Sequence, residues 1–446
     1  MIKNYITTGI LIFLLLFNFS FSDAQTIIYN TEENGIKGCT LPVSNKINIS
    51  YTPPSEFVKE RLANRANPCS TIEVIYNGFP TDIFGGPGEA QLAFQFAVDI
   101  WETLLDSPVT ITIDATFAPA ALGNLGSAGP EFYATVPGQG PNTLYPAALA
   151  EKLIGSELNG TNSVDIGCNF NSNVDWYFGT DGNAGTQIDF VSVVLHELGH
   201  GLGITGFHFV NNNLGYVRRE PSGLSIALDG SSQFNSIWDS FIDAGDIFGN
   251  PISILNATNF PEASDLMLVA FTSDNLTCNS PLATAQNGGD APKTFAPSTY
   301  SGGSSYSHWD ENTFNGTSNA LMTPILDNGE AIHDPGNITL GFMEDMGWSL
   351  CQGSLSTNDF TLEDIKVSPN PFVNSITINL PSTLSIEEFD ISIIDINGRK
   401  ILKQTTDIIN GKIEISNLAN LKTALYFLNI ESKTSDLRIT KKIIKQ

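Results

Sequence analysis

Two histidines and a glutamate stand together in one short run, Phe190-Val-Ser-Val-Val-Leu-His196-Glu197-Leu-Gly-His200-Gly-Leu-Gly203. Histidines at positions i and i+4 of a helix share one face, about one turn apart. Two imidazoles so placed can bind a tetrahedral zinc ion and leave room for a third protein ligand and a water. Glu197, next to the first ligand, can reach that water and take its proton. This combination points to metal-assisted hydrolysis; a buried polar cluster without metal is the alternative. The chain has three other histidines, His208, His308 and His333. In the compact arrangement, H-E-x-x-H-x-x-G-x-x-H, the third ligand falls at residue 206, which here is Gly206. His208 comes two residues late and His308 about a hundred residues later. His333, in Ala331-Ile-His333-Asp-Pro335, reads as a surface-loop residue or one lining the substrate wall. Glu344 is a further candidate ligand, with no supporting motif around it.

Several elements must position these groups. The apolar residues before His196 (Val191, Val193, Val194, Leu195) predict a buried helix, and Gly199, Gly201 and Gly203 predict its stop near residue 203. Upstream, Ile72–Tyr76, Val109–Ala115 and Val164–Phe170 read as strands. Ala93, Phe96, Ala97, Ile100, Trp101 and Leu104 fall at helical spacing, and Pro146–Ile154 opens with a proline suited to a first helical turn. Strand–helix–strand units of this kind predict an α/β (α+β) subdomain with a twisted sheet. Residues 209–307 read as a long, loop-rich insertion with a short helix at Ile237–Ile242 and an apolar patch at Leu266–Phe271. Ile338–Trp348 reads as a closing helix with a glycine cap at Gly347. In Gly179-Thr-Asp181-Gly-Asn183-Ala-Gly185, the Asp and Asn oxygens could hold calcium; a plain turn is the alternative.

The 446 residues allow two or three domains, and the net charge of -26 is unevenly spread. Residues 352–446 hold eleven basic and eleven acidic side chains, so the whole acidic excess lies in residues 1–351. An acidic body argues against nucleic acid or an anionic membrane as partner. The N-terminus reads as a secretory signal peptide over residues 1–24, cut after Ala24, and no later stretch is apolar enough to span a membrane. Residues 25–69 form a lead segment or propeptide. Export permits disulfides among Cys39, Cys69, Cys168, Cys278 and Cys351. Cys39–Cys69 and Cys168–Cys278 are candidate pairs, and Cys39 could instead cap the zinc as a thiolate.

The chain then shows two resemblances. His196-Glu-Leu-Gly-His200, a long insertion, Ser307-His308-Trp309-Asp310, Leu321-Met322-Thr-Pro324 and Asp345-Met-Gly347-Trp348 resemble the leishmanolysin-type metzincins over roughly residues 70–351. The resemblance implies a metzincin-like catalytic domain over 70–351, with the insertion at about 209–307. It implies His196, His200 and His308 as zinc ligands, with His208 as the alternative third ligand, Glu197 as general base and Met322 as the Met-turn. After a linker at 352–365, residues 366–446 show short alternating strands and a hairpin turn at Asn397-Gly398. Physics alone predicts a small all-β sandwich there. Ser368-Pro-Asn-Pro371, Asp395-Ile-Asn-Gly398-Arg-Lys400, Leu418-Ala-Asn-Leu421, Ala424-Leu-Tyr426 and the basic ending Lys441–Lys445 resemble the C-terminal sorting domain of type IX secretion. That implies the outer-membrane type IX machinery as a partner and a secreted or surface location. An adhesive or carbohydrate-binding β-module is the alternative.

The expectation is a secreted zinc endopeptidase acting on proteins or peptides, with substrate added as a strand along an edge such as Val164–Phe170. The competing expectation is a non-catalytic, zinc-stabilised surface binding or adhesion protein.

Overall fold

The computed structural model describes residues 28–31, 39–63, 68–121, 123–160, 163–219, 233–246, 248–351, 366–379, 388–395, 399–407, 412–432 and 438–446. The signal peptide, the 352–365 linker and the Asn397-Gly398 turn lie outside these residues, as does the Cys39 side chain. The chain divides into two compact units. One comprises residues 1–283 and 291–351, the other residues 284–290 and 352–446.

A six-stranded mixed sheet organises the first unit. Its strands are β1 (Cys39–Thr52), β2 (Ile72–Asn77), β3 (Ile111–Ala118), β4 (Asn124–Pro130), β5 (Ile166–Asn171) and β6 (Leu326–Ile332), in the order β6-β1-β4-β5-β3-β2. β2, β3 and β5 run parallel, β4 is antiparallel to both β5 and β1, and β1 is parallel to β6. In β3 the alternation expected of a half-buried strand is visible: Ile111, Ile113, Ala115 and Phe117 are buried. Two helices matter most for the site: α1 (Glu89–Leu104) and α3 (Phe190–Gly201). Between them lies α2 (Ala147–Ile154), which begins after Pro146 and ends on Gly155 at φ +79°. That left-handed cap favours glycine. α4 (Asn337–Met346) closes the unit on Gly347 at φ +119°. α3 packs against β4 and α1, and all twelve of its residues are buried.

This architecture corrects the expected α/β metzincin-like fold. Among the described residues the first unit is mostly small β-sheets with few helices: besides the six-stranded sheet there are five of two to four strands. The insertion, expected to be loop-rich with a short helix, holds more strands than expected among its described residues. It holds the hairpin Phe209–Asn211 with Leu214–Tyr216, and a four-stranded sheet from Ile242–Gly245, Pro251–Ser253, Leu276–Cys278 and Lys293–Thr294. Strands of two to four residues carry too little alternation to be read from periodicity. β5 is not an edge strand either, because β4 and β3 flank it. Its backbone groups are already paired, so substrate cannot add there. Both candidate disulfides are also corrected. Cys69 bonds Cys351, while Cys168 and Cys278 are free and buried. The bond ties two chain positions 282 residues apart, a distance no local pattern reveals.

In the second unit a three-stranded sheet (β7 Lys366–Ser368, β8 Ile376–Asn379, β11 Lys412–Ile415) and a four-stranded one (β9 Glu388–Asp395, β10 Lys400–Asp407, β12 Leu425–Ser432, β13 Arg438–Ile444) share one core. That core takes Ile376, Ile378, Ile413 and Ile415 from the first sheet and Ile391, Ile393, Leu428, Ile430 and Ile443 from the second. Apolar residues at every second position let each sheet turn one face inward.

Candidate metal centre

α3 is fixed before any ligand is considered. Asp189 caps it: its carboxylate accepts the Ser192 N–H at 2.8 Å and the Ser192 hydroxyl at 2.6 Å. The same oxygen lies 2.9 Å from Nε2 of His333, and the Ser192 hydroxyl accepts the Ile332 N–H of β6. His333 is fully buried and stacked edge-on against Tyr51 and Phe96. It is therefore not the surface-loop residue expected. At the other end, the indole N–H groups of Trp101 and Trp348 donate to the carbonyls of Leu195 and Leu202. The glycines of the motif have packing reasons of their own. A Cβ at Gly199 would sit 2.7 Å from the sulfur of Met322, and one at Gly201 would sit 2.4 Å from Ile166. The helix ends at Gly201, and Gly203 takes φ +133°.

The structure brings together His196, His200 and His308. Their Nε2 atoms form a triangle with sides of 3.1, 3.1 and 3.3 Å. Three nitrogens bound tetrahedrally at about 2.0–2.1 Å would stand about 3.3 Å apart. Nδ1 of His196 meets the Leu321 carbonyl at 2.6 Å, and Nδ1 of His200 meets the Ile204 carbonyl at 2.6 Å. A carbonyl can only accept, so both Nδ1 atoms carry the proton and both Nε2 atoms present bare lone pairs. Lone pairs that face one point in a buried site make an arrangement that could hold a metal ion. Burial holds His196 down to about 4 and pushes His200 and His308 well below the usual imidazole value, their mutual repulsion adding to it. The neutral, ligating form is thus the favoured one.

Glu197 is fully buried, and the amides of Ala128 and Leu41 are the donors nearest its carboxylate, without closing a well-formed hydrogen bond. Burial raises its proton affinity well above that of an ordinary carboxylate, with the amides of Ala128 on β4 and Leu41 on β1 pulling the other way. Met322 is buried in a tight turn in which Thr323 N–H and hydroxyl both return to the Ala320 carbonyl. The Met322 carbonyl accepts the Trp309 N–H at 2.9 Å, which ties this turn to the segment carrying His308.

The reason for a glycine at 206 is spatial. A Cβ there would lie 2.5 Å from Oδ1 of Asp239, 2.6 Å from the Tyr306 ring and 2.9 Å from Trp238. The Gly206 N–H instead donates to the hydroxyl of Ser307, which brings the His308 segment alongside. His208 lies outside the triangle, with Nδ1 3.0 Å from the Tyr300 hydroxyl, and burial lowers it to about 3. Glu344 is half-buried on α4 and joins no ligand group. Asp181 accepts from the Tyr177 hydroxyl and from the backbone and side-chain nitrogens of Asn183, the bonding of a turn. Sequence reasoning missed Asp189, whose place just before an apolar run with serine three residues on is a cap signal. It also missed Asp239. Asp239 holds Phe207 and Ser236 in place and is raised to about 7 by burial. No local motif marks it.

Residues 366–446 match the family described as the secretion system C-terminal sorting domain. Residues 132–222, which include α3, match a family described as SPBPB7E8-like. No curated protein matches the chain. Two solved structures are similar over short stretches. A DUF3244 family protein with an immunoglobulin-like β-sandwich fold from Bacteroides vulgatus is 21% identical with a TM-score of 0.16, covering 19% of this chain and 84% of its own. PorZ, described as an essential bacterial surface component of the type IX secretion system of Porphyromonas gingivalis, is 18% identical with a TM-score of 0.17. That match covers 23% of this chain and spans 14% of PorZ. Among the described residues no helix is long and apolar enough to cross a membrane. The chain carries a type IX sorting domain at residues 366–446, engages that secretion system through it, and is exported to the cell surface or beyond.

Proposed function

We propose that the chain is an exported zinc-dependent endopeptidase. The reading is supported above all by the Nε2 triangle of His196, His200 and His308 beside the buried carboxylate of Glu197. The motif likeness to leishmanolysin-type peptidases supports the activity through these residues, not through the fold. His196, His200 and His308 would hold the metal. When bound, zinc supplies Lewis acidity to a water and to the scissile carbonyl. Glu197 takes a proton from the attacking water as its oxygen bonds the carbonyl carbon. It returns that proton to the amide nitrogen as the C–N bond breaks. The Leu321 and Ile204 carbonyls hold the first two imidazoles in the ligating tautomer.

A peptide must reach a site whose four groups are at most 2% exposed. β1 covers it: Leu41 faces Glu197, and the Thr40 N–H donates to the Gly303 carbonyl. Lifting β1 would leave β4 as an edge strand beside α3, free to pair with an extended substrate. The burial also favours the second reading, a zinc-stabilised binding protein. A structural site, however, takes four protein ligands and needs no base.

Zinc content and casein cleavage of the full chain test the ligand set. His308→Ala should lose metal and activity, while His208→Ala should keep the metal. Loss of metal in His208→Ala but not in His308→Ala would overturn the proposed set.

A further inference from the structure

A second group of potential ligands lies apart from the histidines. Glu151 sits near the end of α2, Glu157 in the turn that follows, and Asp165 at the entry to β5. One oxygen of each lies within 4.8 Å of the others. Glu151 is 1% exposed and Asp165 is fully buried, while Glu157 is half-buried and gives the cluster an outlet. Their other oxygens are already used: Oε1 of Glu151 accepts the Leu158 N–H at 2.8 Å, and Oδ2 of Asp165 accepts the Thr112 N–H at 2.8 Å. Those bonds aim the remaining atoms inward. Oε2 of Glu151, Oε2 of Glu157 and Oδ1 of Asp165 are all buried and meet no N–H or hydroxyl donor; they face only one another, and the Glu151 carboxyl raises the proton affinity of both Glu157 and Asp165. Among the described residues no lysine, arginine or histidine forms an ion pair with any of the three.

Three carboxylates this close repel one another, and burial adds the cost of desolvation. An all-oxygen donor set suits a hard cation rather than zinc. Oxygens bound to one calcium at 2.3–2.6 Å stand at most about 5 Å apart, which covers the observed spacing.

We propose that Glu151, Glu157 and Asp165 form a calcium site that clamps the end of α2 to the start of β5. The consequence reaches the metal centre through packing. Ile166, next to Asp165, is the residue that a Cβ at Gly201 of α3 would strike. Calcium thereby fixes the strand on which the histidine helix rests, without touching the histidines.

The test uses the full chain with zinc kept saturating. Calcium chloride is titrated in by calorimetry, and thermal unfolding is followed with and without it. Wild type should bind one calcium at this site and unfold at a higher temperature when calcium is present. Magnesium, smaller and slower to shed water, should be much weaker. Glu157→Gln, at the half-buried ligand, should keep its zinc but bind calcium at least about tenfold more weakly. Asp165→Asn should lose the calcium response yet, without calcium at pH 8, unfold at a higher temperature than wild type, because it removes a buried charge. Wild type indifferent to millimolar calcium would overturn the proposal and leave the carboxylates sharing protons. Full calcium response in both variants would also overturn it, by placing the binding elsewhere.

Discussion

Asp189 joins three parts of the molecule through a single carboxylate: the first turn of α3, the Ser192 hydroxyl that reaches β6, and the buried ring of His333. Removing an N-cap alone costs about 1 kcal/mol, and each buried hydrogen-bonding partner left unsatisfied, here the Ser192 hydroxyl and the His333 ring, costs roughly 1–3 kcal/mol more. Asp189→Ala should therefore lower unfolding free energy by about 3 kcal/mol or more in a denaturant titration, and Asp189→Asn by less. A loss below about 1 kcal/mol would mean that the His333 contact contributes nothing beyond the cap. Gly206 shows the same economy of space. It has no room for a side chain, so the third imidazole arrives from His308 on a separate segment.

At the level of elements, β1 is laddered to β4 and β6 but contributes little to the apolar core. It spans fourteen residues, yet Leu41 is its one buried apolar side chain among the described positions, while Val43, Ile47, Ile49 and Tyr51 are exposed. One buried leucine is worth about 1.5–3 kcal/mol. Limited proteolysis that removes β1 but spares residues 68–351 should raise the rate of peptide cleavage several-fold. A rate that stays flat or vanishes would make β1 a permanent part of the sheet. This strand was poorly legible in the sequence: Cys39–Thr52 contains Pro42 and a polar stretch at 44–46, and only Ile47–Tyr51 alternates. α3 was the most legible, because apolar residues, cap and ligands all fall in register. The helices at 89–104, 147–154 and 337–346 and the strands at 72–77, 111–118 and 166–171 lay near their predicted places. Their arrangement did not, since the sheet order depends on β1 inserting between β4 and β6. His308 could be linked to the pair only through the motif resemblance, because chain spacing across the insertion carries no distance information.

For the molecule as a whole, buried carboxyls set a pH dependence, with Asp239 and Asp165 among them and Glu330 raised to about 7 beside them. Burial raises Asp239 to about 7 and Asp165 to about 8, from an ordinary value of 3.8. The folded chain then holds protons that the unfolded chain has released. Their contribution to stability is complete below about pH 4 and is lost as pH rises through 7 and 8. Without calcium, the unfolding temperature should therefore decline between pH 6 and pH 9. With calcium bound, the Asp165 part of that decline should disappear. A decline that calcium leaves unchanged would show that Asp165 is not a ligand. The 282-residue disulfide loop encloses the metal centre, while the sorting domain at 366–446 lies outside it. Loss of the tail after export therefore leaves that loop closed.

The most direct test of the central claim is Glu197→Gln, with zinc content and peptide cleavage measured on the same preparation. The account predicts zinc bound at one equivalent, as in wild type, with cleavage reduced by roughly a hundredfold or more. A variant that keeps its zinc and cleaves at the wild-type rate would contradict Glu197 as the proton carrier. A wild-type chain that holds zinc but cleaves no peptide even after β1 is removed would contradict the peptidase itself.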